Sequence, residues 1–174
     1  MHFALKRLIS PYRLASGWGS GAVEFPYLVS PNAALSQAFN GEKVAVSSFL
    51  TNDVPLANDL ADQDLCLVFV NADAGEGYLS HEGVRGDRND LFPQRSGDKL
   101  VQGVAQNCKS TVVIVHSVGP VVVEKWIDLP NVKGLLFAHL PGQESGNSLV
   151  FGPFLLFSGR QLTEILGGCS LRRR

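Results

Sequence analysis

The sequence predicts an α/β protein in which a mostly parallel sheet is sandwiched between helices, a three-layer α/β/α arrangement with irregular N- and C-terminal ends. Three observations carry this. Apolar, β-rich runs recur at 65–70, 111–115 and 132–138. Helical periodicity fills the stretches between them, and each run ends in a polar, glycine-rich loop. Continuous apolar strands suit a parallel sheet covered on both faces, and strand–helix–strand alternation is how such a sheet is built. At 174 residues the chain is one domain's worth, long enough to bury a core.

Each element has its own signal. Lys43 to Leu50 reads as a strand diluted by two serines, Ser47 and Ser48. Asn52 or Asp53 caps a short helix running through Ala61, with Pro55 tolerated in its first turn. The run Leu65-Cys66-Leu67-Val68-Phe69-Val70 is the central strand. Gly97-Asp98 opens a helix on which Leu100, Val101, Val104 and Ala105 recur at helical spacing. Thr111 to Val115 is a buried strand ending at His116-Ser117. Val122, Val123, Trp126 and Ile127 predict a further helix that stops before Pro130. Val132 to Ala138 is a strand, and Gln143 to Val150 a last short helix. Residues 1–16 show no clear period, and 151–174 continue no strand–helix unit. Both ends are expected to be poorly ordered or loosely packed.

Composition excludes several classes. A formal net charge of -1 gives no electrostatic case for nucleic acid or an anionic membrane, and Arg172-Arg173-Arg174 reads as a solvated tail. No apolar run approaches the ~20 residues that span a bilayer. The first residues carry basic side chains but no uninterrupted apolar h-region, so no signal peptide is read there. The three cysteines, Cys66, Cys108 and Cys169, lack metal-ligand spacing, and Cys66 within its strand reads as a small buried hydrophobe.

The chemistry-bearing residues cluster after the central strand, in NADAGEGYLSHEGVRGDRNDL. In parallel sheets, ligands bind at the carboxyl ends of strands, so a carboxylate there reaches a ligand from an anchored backbone. Glu76 is therefore the first candidate. Asp73 reads as a loop-shaping aspartate bonding nearby amides, not as half of a dyad. Asp87 and Arg88 read as a local ion pair pinning the loop, worth below ~1 kcal/mol if exposed. Gly17-Trp18-Gly19-Ser20-Gly21 has neither the preceding strand nor the following helix of a phosphate-binding loop. His116 and Ser117 lack a nucleophile elbow, and His116 reads as structural. His139 and Glu144 have no second histidine at helical spacing, so no metal site is read; Glu144 suits a helix start.

Five blocks fall in a telling order: GWGSGAVEFPYLVSP, NADAGEGY, GDRNDL, HSVGPVVVEKWIDLPNV and LPGQESGNSLV. Together they resemble the C-terminal α/β sandwich domain of fungal β-glucosidases of glycoside hydrolase family 3, over residues 17–150. The resemblance implies a retaining hydrolase of terminal β-D-glucosyl residues that takes part in polysaccharide and cellobiose breakdown, with no cofactor. In that family a (β/α)8-barrel packs against the sandwich and supplies an aspartate nucleophile in an Asp-Trp pair. The sandwich supplies the acid/base glutamate, which falls on Glu76. The serine that approaches the sugar falls on Ser20.

The sequence departs from the pattern at both ends. No barrel precedes Ser20, and both tryptophans follow other residues, Gly17 and Lys125, so no Asp-Trp pair occurs. The chain is expected to be a fragment, with a non-matching segment 1–16 and a divergent tail 151–174 from a truncated or misassembled reading frame. Alone, it is expected to be inactive. The alternative is a non-catalytic carbohydrate-binding or interaction module derived from the same domain. The family is commonly secreted, which leaves localisation open.

Overall fold

A computed structural model describes residues 2–6, 15–40, 44–81, 83–150 and 152. Five strands form one all-parallel sheet in the order β2-β1-β3-β6-β7: β1 (His2–Lys6), β2 (Ala45–Phe49), β3 (Leu65–Ala72), β6 (Thr111–Ser117) and β7 (Val132–Phe137). A two-stranded antiparallel hairpin, β4 (Ser80–His81) and β5 (Val84–Arg85), stands apart within the loop after β3. The helices are α1 (Pro31–Ala38), α2 (Ala57–Ala61), α3 (Gly97–Asn107) and α4 (Ser145–Leu149).

The predicted three-layer α/β architecture is present, and the alternation of β3 shows how it is held together. Leu67 and Phe69 join Leu35 of α1, Ile114 of β6 and Leu149 of α4 in one buried cluster. Cys66, Val68 and Val70 face the opposite way, onto Leu60 of α2, Leu100, Val101 and Val104 of α3, and Trp126. A strand apolar on both faces must be covered on both, which is why its sequence is an unbroken hydrophobic run.

Several elements differ from the sequence reading. Residues 2–6 form a strand, β1, paired on both sides, where no period was legible. The segment around Val122–Ile127 is not a helix but a chain of tight turns: Trp126 N–H and Ile127 N–H both reach Val123 O, and Leu129 N–H reaches Trp126 O. A run of three β-branched valines, followed by Asp128 and Pro130, disfavours continuous helix there. The apolar spacing instead serves burial, with Trp126 fully enclosed and Val121, Val123, Ile127 and Leu129 packed against the same cluster. The helix at 53–61 begins only at Ala57, with no side-chain cap, and the last helix is a 3-10 turn (Gly142–Glu144) leading into α4. α1 went unread in the sequence; Ser30 caps it by accepting from Ala33 N–H, and Pro31 follows at its first position. Residue 43 of the predicted first strand and, Gly152 apart, the tail 151–174 lie outside the described residues.

Cys66 also needs correction. It is buried, but as half of a disulfide with Cys108, 42 residues on at the C-terminal end of α3. The register explains the meeting. Cys66 lies opposite Thr111 on β6, and Cys108 lies three residues before Thr111, in the short bend that leads from α3 into that strand.

Candidate functional site

Counting only the strands of the main sheet, the order is 2-1-3-4-5. The chain leaves β1 for one side, returns to β3 on the other, and the connections diverge. Ligands sit in the crevice this creates, outside the carboxyl ends of the two strands. The chain beyond β1 carries Trp18 to Gly21, and the chain beyond β3 carries Asp73 to Tyr78.

These two loops meet. Ser20 Oγ donates to Glu76 Oε1 at 2.6 Å, and Ser20 N–H donates to Glu76 Oε2 at 3.2 Å, so a single residue engages both carboxylate oxygens. The Tyr78 hydroxyl reaches Oε2 at 3.4 Å. Together these bonds favour the ionised form. The Ser20 hydroxyl is the largest influence holding the Glu76 pKa below the ordinary glutamate value, partial desolvation opposes it, and the Ser20 amide and Tyr78 add to the lowering.

Small residues make this apposition possible. A Cβ on Gly75 would lie 2.1 Å from the Trp18 ring, which therefore lies flush on the Glu76 loop. A Cβ on Gly86 would fall 1.6 Å from Glu76 O, so the returning chain crosses directly beneath the glutamate. Gly75 N–H bonds Gly86 O at 2.7 Å and Gly86 N–H bonds Leu79 O at 2.8 Å, closing the turn around Glu76. Gly19 adopts φ 73°, a left-handed conformation that glycine takes at little cost.

The root of the loop is fixed separately. Asp73 is buried, with its carboxylate 3.8 Å from Arg95 Nη1. Gln94 clamps its backbone, accepting from Asp73 N–H at 3.0 Å and donating to Asp73 O at 2.7 Å. Asp73 therefore shapes the loop, with Arg95 as a partner that the sequence did not announce. The predicted Asp87–Arg88 pair is replaced: Arg88 Nη1 donates to Pro120 O at 2.8 Å, tying the loop to the neighbouring β6 exit, while Asp87 lies against Gly77. Both residues belong to the loop, but the arginine crosses to another strand's connection.

The remaining candidates lie elsewhere. His116 is buried on β6 with its ring stacked near Phe69, and the Ser117 hydroxyl donates to Gly119 O at 2.7 Å. Neither side chain is part of the Ser20–Glu76 contact. Glu144 accepts from the Tyr27 hydroxyl and, at 2.6 Å, from Asn147 Nδ2, both of which hold its pKa below the ordinary value. Among the described residues, no three His, Cys, Asp or Glu side chains converge as a metal site would require.

Comparison with known proteins points the same way as the blocks of sequence. The profile of the glycosyl hydrolase family 3 C-terminal domain matches residues 8–153. The probable beta-glucosidase E of Aspergillus oryzae is 62% identical over 138 residues, covering 79% of this chain but 13% of the relative. Beta-glucosidase 1 of Aspergillus aculeatus is 51% identical over 138 residues, again 78% of this chain and 16% of the relative. Among solved structures, the beta-D-glucoside glucohydrolase of Trichoderma reesei superposes with a TM-score of 0.82 at 36% identity, over 88% of this chain and 24% of that one. The Chaetomium thermophilum beta-glucosidase gives 0.81 at 38% identity, over 88% and 20%. The chain thus spans only a small part of the length of the relatives it matches.

Proposed function

Because this chain belongs to the glycosyl hydrolase family 3 C-terminal domain family, we propose that it is the acid/base half of a retaining β-glucosidase site. Glu76 is the acid/base residue, Ser20 borders the glucosyl subsite, and a barrel domain supplies the nucleophile and most sugar contacts. The observation that carries this reading is the convergence of Glu76 and Ser20 at the switch-point crevice, from loops 56 residues apart.

A retaining glycosidase needs two carboxyl groups about 5–5.5 Å apart across the scissile bond. One attacks the anomeric carbon, and the other protonates the departing oxygen and then deprotonates the incoming water. Glu76 is accessible to solvent on its loop and biased towards the carboxylate, which suits the second half-reaction. For the first it must hold a proton at working pH. Closure by a second domain that excludes water and brings a second carboxylate raises its pKa in that direction. The chain alone, with no Asp-Trp pair in its sequence, has no such partner and is expected to show negligible turnover.

The test is to pair the chain with a separately produced family barrel domain and follow hydrolysis of an activated aryl β-glucoside. With Glu76→Gln, a leaving group that needs no proton is still released, deglycosylation stalls, and added azide restores turnover as glucosyl azide. Full activity of Glu76→Gln without azide removes Glu76 from the acid/base role.

A second reading has one observation in its favour. Tyr78 is 84% exposed beside Glu76, giving the site an exposed aromatic ring of the kind that sugars stack on. If the domain acts as a non-catalytic carbohydrate-binding module, cellobiose binds the chain alone, and Tyr78→Ala weakens it while Glu76→Gln does not.

A further inference from the structure

We propose that Ser20 is a positioning residue that parks Glu76, holding its carboxylate by both oxygens, and that Glu76 is released to take up and deliver a proton when the Ser20 hydroxyl turns away. The inference rests on the acid/base reading of Glu76 and adds a control to it. A carboxyl group that exchanges a proton with a sugar oxygen needs one oxygen within hydrogen-bond reach of that atom. In the uncovered domain each carboxylate oxygen already accepts from a neighbour, Oε1 from Ser20 Oγ and Oε2 from Ser20 N–H with Tyr78 at longer range, so Ser20 fixes how the carboxylate is turned.

The two bonds from Ser20 are unequal in kind. The amide belongs to a backbone turn whose entry is pinned by Trp18 N–H to Ala74 O at 3.3 Å and whose next residue closes on Gly19 O. The hydroxyl is a single rotor on an exposed side chain. One χ1 rotation therefore frees Oε1 while the amide keeps Oε2 in place. Rotation also withdraws the donor that most favours the carboxylate, and so eases proton uptake from solvent. The carboxyl proton then passes to the leaving oxygen, Glu76 returns to its carboxylate, and Ser20 can re-engage it.

The other polar groups around the site do not supply this control. Tyr78 donates at 3.4 Å from within the same turn, Asp87 abuts Gly77, and His81 faces the Trp18 ring at 6.0 Å. None of them is placed by the neighbouring strand's loop as Ser20 is.

The test is a carbon-13 NMR titration of the Glu76 side-chain carboxyl in the full 174-residue chain, assigned with Glu76→Gln. In Ser20→Ala the midpoint moves to higher pH, while Ser20→Thr, which restores a hydroxyl, stays at the native midpoint. Melting curves for both variants confirm the fold is retained. An unchanged midpoint in Ser20→Ala, or an equal rise in Ser20→Thr, overturns the proposal. This readout does not depend on turnover. If azide rescue of Glu76→Gln fails while the Ser20→Ala shift is present, the acid/base reading falls and the parking contact stands.

Discussion

Opening the Cys66–Cys108 bond should cost the domain several kcal/mol. The cross-link closes a chain segment with a sequence separation of 42 residues, which includes the Glu76 loop, the β4–β5 hairpin and all of α3. In the chain-entropy account, a loop of that length removes about 13 cal/mol/K from the unfolded ensemble, or about 4 kcal/mol at 25 °C. For a domain of this size that corresponds to a fall in Tm of roughly 8–16 °C. Both cysteines are buried, each 1% exposed, so reductant must be added to unfolded protein before refolding. Reduced protein isolates the loop contribution because the two thiols refill the same space. Cys66→Ala with Cys108→Ala adds the loss of buried sulfur on top of it, and should melt lower still. The assay is a pair of thermal melts, with a non-reducing peptide map showing the Cys66–Cys108 linked peptide. Both cysteines recovered as separate thiols from unreduced protein, or identical melts for oxidised and reduced chains, would refute the reasoning.

Two other side-chain contacts can each be perturbed separately. Asp98 accepts from the indole N–H of Trp126 at 2.9 Å and pairs with Lys125 at 2.8 Å. Asp98→Ala strands a buried indole donor and should cost about 1–3 kcal/mol in a denaturant melt. Asp98→Asn keeps an acceptor and loses only a partly exposed ion pair, below ~1 kcal/mol, so equal losses would show that the indole bond carries nothing. The Tyr27–Glu144 contact should shape stability at both ends of the pH scale. The lowered Glu144 pKa contributes stability that is fully present above the ordinary value of 4.5 and is lost as pH falls through the folded one. The raised Tyr27 pKa contributes below 10.0 and is lost as pH rises through its folded value. Tyr27→Phe should therefore flatten the Tm profile on both sides, and an unchanged profile would remove this pair from the ledger.

The parts of the fold legible in sequence were those whose signal is local. β3, β6 and β7 are apolar enough to announce burial by themselves, and α3 shows helical spacing. β1 does not: His2 to Lys6 mixes apolar and charged residues, and its membership depends on finding β2 on one side and β3 on the other. The turn-rich crossover failed in the opposite sense. Its apolar spacing mimics a helix because Trp126, Ile127 and Leu129 must face one core, while Val121–Val123, Asp128 and Pro130 deny the backbone a helix. α1 was missed although Ser30-Pro31 is a start signal that could have been read. The disulfide could not be read, since nothing in either cysteine's neighbourhood specifies the β3–β6 register that brings them together.

The candidate site divides along the same line. Glu76 was legible because a carboxylate after a buried strand is a local pattern, and its tie to Ser20 was not, because it is a product of strand order. Placing β1 beside β3, with β2 on the far side, makes their loops neighbours and sends the connecting chain away from the crevice between them. The Glu76 loop is then held by three independent means: Asp73 with Arg95 and Gln94 at its root, Arg88 on Pro120 at its far end, and Trp18 and Ser20 across its tip. The first two leave the glutamate's oxygens untouched. Only the third, with Tyr78 from within the turn itself, touches the Glu76 carboxylate, and the Ser20 hydroxyl is the largest of the influences on its ionisation. Loop shape and carboxylate charge are thereby governed by different residues, which is what the acid/base role proposed for Glu76 would require of its loop.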